Sequence, residues 1–361
     1  MIKLLSAVLA VIIIVVPGPG GSGQPTPTPN VPPAASAQPP PVAGSSARRP
    51  ATSAGGSAAQ VAPMADGGGA GGSVQPVRLV SGAGRTVRVT DAASLASALA
   101  AAAPGQTIDM ADGNYPGRFV INRAGEPDNP ITLRGSRAAV IDGGPAGPSG
   151  YDLHLQRANN WQLVGFTVTG GQKGIMADQT NNTVLSGLDV GNTGDEGVHF
   201  GNFSSDNVVQ DSVVHDTGKV RPGAGEGLYF GTAKASWATQ SNGRPDRSNN
   251  NKAINNTFRK TASENIEVKE ETSGGLIAGN AFDGSGLSGQ NDADSVLDLK
   301  GTGYRILDNV TSGTSPYLKT GFQTQVVTSP ASSGCGNTFL NNVFVPPLSQ
   351  VISLDPRCGP Q

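Results

Sequence analysis

Apolar and polar residues alternate along this chain in short runs that align when written under one another. The runs are Asp152–Gln156, Lys173–Asp178, Glu196–Gly201, Glu226–Gly231, Glu264–Glu270, Ser295–Gly301, Gly321–Val326 and Gln350–Asp355. Each follows a second kind of run, in which Asn or Asp precedes an apolar or β-branched residue by two: Asp211/Val213, Asn256/Phe258, Asn280/Phe282, Asn309/Thr311 and Asn342/Phe344. Strand-length runs of constant size, separated by connections of varying size, predict a solenoid of stacked parallel strands with loops inserted between them.

Period-two alternation assigns the sides. Ile175, Val198, Leu228, Ile266, Leu297, Phe322 and Ile352 share a parity with Ala177, Phe200, Phe230, Val268, Leu299 and Leu354, and are expected in the core. The opposite parity gives two outward columns. One reads His154, Met176, His199, Tyr229, Glu267, Asp298, Gln323, Ser353, and the other Gln156, Asp178, Gly201, Gly231, Lys269, Lys300, Gln325, Asp355. Neighbouring strands lie about 4.8 Å apart, so consecutive members of a column are nearest neighbours.

One stretch departs from the strand pattern. In residues 91–106 Asp91 can cap a helix whose Leu95 and Leu99 share a face, and Pro104–Gly105 ends it. A solenoid exposes backbone and apolar side chains at its open end, so this helix is expected to cap the first coils, which are read in residues 107–121 and 130–144.

Composition adds the surroundings. With 51 Gly and 27 Pro in 361 residues the chain is rich in turns, and 25 basic against 27 acidic side chains leave no basic block to suggest nucleic acid. Residues 1–20 hold one Lys before an apolar run stopped by Pro17, as in an export signal or an uncleaved membrane anchor. Residues 21–75 are rich in Pro, Gly, Ala and Ser and are expected to form a disordered tether, leaving residues 76–361 as a single folded domain, read as monomeric. In an exported chain Cys335 and Cys358 are expected to pair; closing a loop of that size contributes roughly 3 kcal/mol.

The outward columns are densest in charge on two adjacent coils, where Glu264, Glu267, Lys269, Asp298 and Lys300 fall together. Glu196 and Glu226 occupy the place of Glu264 in the two preceding coils, and three stacked carboxylates repel unless a cation such as Ca²⁺, protonation or exposure relieves them. Lys269 and Lys300 are one strand apart; a like charge at that distance favours a neutral amine on one of them, and the neighbouring carboxylates oppose this. The arrangement is either catalytic or a salt-bridge ladder. His199 and Tyr229, in the same column, are candidates to line ligand subsites, where an aromatic face and a neutral donor are useful. Loops at 217–225 and 232–251 flank this patch, and their Arg221, Arg244 and Arg247 can engage carboxylates, with Trp237 as a stacking surface. Asp292 and Asp294 in loop 284–294 are a second place for a cation. His154, His215 and Asp216 lie elsewhere and are read as structural.

Residues 261–282, TASENIEVKEETSGGLIAGNAF, followed one coil later by LDLKGTG at 297–303, resemble the catalytic stretch of right-handed parallel β-helix polysaccharide lyases of the chondroitinase B and alginate lyase type. PGQTIDMADGNYPGRF and NPITLRGS are similar to that family's first coils. The resemblance implies a right-handed parallel β-helix and β-elimination on a uronic-acid polymer. In it, Glu264 ligates Ca²⁺, Lys269 is the base that removes the C5 proton, and Lys300 or Tyr229 protonates the leaving oxygen. Ala262 stands where the family has a second acid, a place Glu226 or Glu267 can fill, and Lys300 stands where it has Arg. A C5-epimerase would use much the same groups. Two other readings remain: a glycoside hydrolase using Glu267 and Asp298 on adjacent strands, and a non-catalytic envelope protein that binds glycan.

Overall fold

The computed structural model describes residues 74–328, 333–345, 348 and 350–359. The expected export signal or anchor and nearly all of the expected tether lie outside the described residues. Among the described residues no helix is long and apolar enough to cross a membrane.

The domain is an all-β, right-handed parallel β-helix. Among the described residues its strands form three parallel sheets of ten, nine and nine strands, and a complete coil contributes one strand to each. The coil built from Lys252–Ile254, Thr257–Arg259 and Ile266–Val268 is representative. Capping begins at Asp91, whose side chain accepts from Ser94 N while Ser94 Oγ accepts from the Asp91 amide, over the helix Ala92–Ala100. Leu95 and Leu99 are buried against the first coils, as their spacing predicts, and the helix ends four residues before Pro104. At the other end Cys335 and Cys358 form a disulfide, with 5.2 Å between their Cα atoms.

The strand register follows the parity reading. Met176 pairs with His154 and with His199, His199 with Tyr229, Tyr229 with Glu267, Glu267 with Asp298, Asp298 with Gln323 and Gln323 with Ser353. Inward residues from Ile175 to Phe322 are essentially inaccessible, and Phe200 and Phe230 stack with ring centroids 5.7 Å apart. Leu354 is an exception: expected in the core, it is 39% exposed because it lies on the last coil, with no further strand of that sheet paired beyond it among the described residues.

The second family of runs turns each coil from one sheet into the next. One residue of this turn takes a left-handed conformation in successive coils, at Gly165, Gly187, Asp211, Asn255, Gly279, Asp308 and Asn341, a choice that Gly, Asn and Asp tolerate best. The residue after it carries the ladder. Asn256 Nδ2 donates to Asn280 Oδ1 (3.1 Å), Asn280 Nδ2 to Asn309 Oδ1 (2.9 Å) and Asn309 Nδ2 to Asn342 Oδ1 (2.9 Å). This corrects the pairing of Asp211 with Val213. Asp211 is the left-handed turn residue, and the ladder position belongs to Ser212, whose amide donates to Asn256 Oδ1. Val214, not Val213, then aligns with Phe258.

Candidate active site

The site sheet carries the outward columns, but its central side chains are not bathed in solvent. His199, Glu267, Lys269 and Asp298 are each less than a tenth exposed, as are Glu196, Glu226 and Glu264 at the turn that leads into the strands. The loops contribute to this cover. Asn291 Nδ2 donates to Gly223 O (2.9 Å), joining loops 217–225 and 284–294 at the strand starts. Beyond the strand ends, the Lys234 amide donates to Glu270 Oε1 (2.5 Å) and holds loop 232–251 down.

Glu267 is the hub. Lys269 Nζ and Lys300 Nζ both donate to its Oε1 at 2.6 Å, and Lys300 also donates to Asp298 Oδ2 at 2.6 Å. Burial alone would raise the Glu267 carboxyl, but the two lysines overcome it and hold it well below the usual range. Lys300 is a mirror case: burial favours its neutral form, yet Glu267 and Asp298 raise its proton affinity far above that of a free lysine. Asp298 is pushed up to about 6 by burial against the pull of Lys300. Tyr229 lies beside this cluster with its ring centroid 5.4 Å from Lys269 Nζ, and its hydroxyl is pushed well above the ordinary phenol by burial and by Glu267.

The three stacked glutamates divide. Glu196 is neutralised from the coil below by Lys173 Nζ at 2.5 Å, an ammonium that also lies 3.0 Å from His199 Nδ1. Among the described residues Glu226 and Glu264 have no such lysine partner; they gather with Glu267, so that three carboxylate oxygens lie within 4.8 Å of one another. Burial and the neighbouring carboxylates push Glu264 up to about 8 and Glu226 well above its usual value. Glu226 Oε2 is buried without a hydrogen-bond partner among the described residues. A carboxylate oxygen that only accepts, facing two other carboxylates, is the surrounding a divalent cation or an added proton stabilises, and three hard oxygen donors suit Ca²⁺.

The remaining candidates separate. His199 is buried with both ring nitrogens used, Nε2 by Gly231 O (2.8 Å) and Nδ1 by Lys173, and its ring lies 4.5 Å from that of Tyr229. Arg244 stacks over Phe203 (4.5 Å) and Arg247 lies 3.8 Å from Glu271, both in the loop beyond the strand ends. Trp237 is not an available stacking surface: it is 6% exposed and its indole N–H donates to Thr232 O. His154 bonds Asp178, and His215 on a different sheet is clamped between Asp189 and Asp216. Asp294 pairs with Lys319. Lys173 and Asp195 escaped the sequence reading. Lys173 stands in the Glu196 column one coil lower, and extending that column by one strand finds it.

No protein-family model matches the chain, and neither does any curated protein. Among solved structures it is similar to the alginate lyase of Paenibacillus sp. str. FPU-7, with 33% identity, a TM-score of 0.70, and coverage of 75% of this chain and 91% of that one. It also shares the fold of pectate lyase Pel9A at 16% identity and a TM-score of 0.57, over 76% of this chain and 78% of that one. Strand register, buried charge cluster and this relationship agree: the chain belongs to the right-handed parallel β-helix polysaccharide lyases of the alginate lyase type.

Proposed function

We propose that the protein is an exported polysaccharide lyase that cleaves a uronic-acid glycan by β-elimination. One observation carries the reading: Lys269 and Lys300 share a single buried carboxylate oxygen of Glu267 beside the Tyr229 ring. Two amines so close have different tasks. Lys300, bound by two carboxylates, keeps its proton and offers fixed positive charge. Lys269 has the single carboxylate bond and takes the role of base, removing the C5 proton. The electron pair of that C–H bond forms the C4–C5 double bond as the C4–O bond breaks. Tyr229, protonated across the physiological range, donates its hydroxyl proton to the departing oxygen.

Ca²⁺, where bound, would be held by Glu226, Glu264 and Glu267, and would supply positive charge that acidifies the C5 proton through the sugar carboxylate. Tyr229 and Lys269 project from the same face of neighbouring strands, so proton removal and delivery come from one side. That favours elimination over epimerisation, which must return a proton to the opposite face of C5. The sibling relation to an alginate lyase makes alginate the first polymer to test. Purified protein incubated with alginate, pectate and glycosaminoglycans is expected to release an unsaturated, ultraviolet-absorbing product from at least one of them. Saturated reducing ends alone would point instead to hydrolysis by Glu267 and Asp298, and binding without turnover to the glycan-binding reading.

A further inference from the structure

A polyanionic chain that reaches this site meets Glu196, Glu226, Glu264, Glu267 and Asp298, while Lys173, Lys269 and Lys300 are each already paired with one or more of those same carboxylates. The carboxyl groups outnumber these lysines, so further attraction for the polymer has to come from cations on the rim. Arg221, on loop 217–225 at the starts of the site strands, differs from the other loop arginines in how it is held. Its Nε donates to Asp195 Oδ1 at 2.8 Å and its Nη2 to Asp195 Oδ2. Asp195 is completely buried, and Gln172 Nε2 fixes it from the coil below at 2.6 Å. The anchor is rigid, but the Arg221 side chain itself remains 55% exposed. Asp195 uses one edge of the guanidinium. Of five N–H groups two are spent on this side-on pair, leaving the edge formed by Nη1 and Nη2 able to take a second carboxylate end-on.

The placement matches a distal sugar. Asp195 immediately precedes Glu196 at the turn into the strand Val198–Gly201, two strands before Ile266–Val268, which Lys269 follows, so Arg221 stands roughly 10 Å along the stack from the reacting groups. Glu196 and Glu226 both act on its charge, which puts it beside the acidic ladder. Arg244 and Arg247 are held more loosely: Arg244 lies on the Phe203 ring, and Arg247 reaches Glu271, whose side chain is buried, only at 3.8 Å, beyond hydrogen-bond distance.

The geometry points to Arg221, fixed by Asp195, as a separate subsite that binds the carboxylate of a uronate remote from the bond being broken. This deepens the lyase reading and rests on it for the identity of the polymer. The test is steady-state kinetics of the full chain on the polyuronate it cleaves. Arg221→Ala is expected to raise KM on the order of tenfold with kcat changed less than about twofold, the signature of lost uniform binding. Arg221→Lys should recover only part, because an ammonium lacks the planar fork. Asp195→Asn should raise KM less than Arg221→Ala does, since the cation remains and only its aim is lost; Arg134→Ala, on a different sheet, is the control. An unchanged KM in Arg221→Ala overturns the subsite while leaving the lyase reading intact. Should the wild type release no unsaturated product, electrophoresis through gels containing the same polyuronates decides. Retardation of the wild type that weakens in Arg221→Ala upholds the subsite without the reaction, and no retardation, or equal retardation, removes it.

Discussion

Two ladders of like residues climb this β-helix, and they behave in opposite ways. Asn256, Asn280, Asn309 and Asn342 stack at the turn between two sheets, and each amide both donates and accepts, so the column repeats with its groups satisfied: Asn280 Nδ2, for instance, also reaches Ala253 O at 3.0 Å. Glu196, Glu226 and Glu264 stack at another turn, where a carboxylate can only accept. The first of these is neutralised by Lys173, and the other two are left to crowd Glu267 with Glu226 Oε2 unpartnered among the described residues. The first ladder holds the coils together; the second stores unfavourable charge that a proton, a cation or a substrate can relieve. Identical residues at strand spacing therefore read as structure when self-complementary and as a site when self-repelling.

The strongest way to break this contrast is to remove the base beside the second ladder. Lys269→Ala is expected to lower kcat by about 10²–10⁴-fold, the usual worth of a positioned base, with the fold retained because Glu267 keeps Lys300. Following unsaturated product by ultraviolet absorbance, together with the melting temperature, checks both halves. A variant that keeps its full rate eliminates Lys269 as base.

Next in size is a substitution that gives the first ladder the chemistry of the second. Asn280→Asp replaces a donor with an acceptor facing Asn309 Oδ1 and Ala253 O, at a cost of about 2–4 kcal/mol in unfolding free energy. Denaturant titration measures it. The rate per folded molecule should be unchanged, because the ladder lies on the far side of the core from the reacting groups; a parallel loss of rate would show that the two ladders are coupled.

How much of this was legible beforehand follows from the same contrast. Parity predicts the whole column from His154 to Ser353, because the side of a strand is fixed by period two and the register by the need to bury Ile175, Val198 and their equivalents. It fails at Asp211, where a turn residue and a ladder residue sit side by side and share a polar alphabet; only backbone angles separate them. At the site, the sequence places Lys269, Lys300, Glu267 and Asp298 on neighbouring strands but cannot say that one oxygen of Glu267 serves both lysines. Nor can it say that Trp237, attractive as a stacking surface, turns its N–H back to Thr232. Loop conformation depends on contacts between segments distant in sequence, such as Asn291 with Gly223, which no local pattern encodes.

A third expectation sharpens the second ladder through pH. Glu264, raised to about 8, and Asp298, raised to about 6, are more easily protonated in the folded chain than in the unfolded one. Their contribution is fully present below pH about 4 and is lost as pH rises through 6 and 8. Glu267, held low, acts in the reverse direction, and its contribution is lost only as pH falls through the acid range. In chelator the melting temperature is therefore expected to decline between pH 5 and 9, and millimolar calcium to restore it by binding the folded state. Glu226→Gln takes away a carboxyl whose ionisation burial and its neighbours resist; it should lose less stability than the wild type as pH rises, and abolish the calcium response. A calcium-insensitive wild type would take the metal out of the mechanism.

The smallest effect lies away from both ladders and asks whether repulsion is needed at all for a buried carboxylate to be strained. Asp152 is fully buried beside Gly143 and Gly171, where a Cβ added at either glycine would come within 1.9 Å of its Oδ1, and neither carboxylate oxygen has a partner among the described residues. It occupies the register position held by Gly174 on the next coil, inside the corner rather than on the site face. Burial first, with Asp142 adding to it and Arg118 opposing, pushes its carboxyl up to about 8. The folded chain therefore favours its protonated form, and the stability it contributes disappears as pH rises through 8. Asp152→Asn keeps the shape and removes the charge. The variant is expected to melt a few degrees higher than the wild type at pH 9 and to match it near pH 5, with kcat unchanged at both. Equal melting at pH 9 would mean that Asp152 finds a partner there, and that single buried acids in this fold, unlike the stacked glutamates, carry no strain.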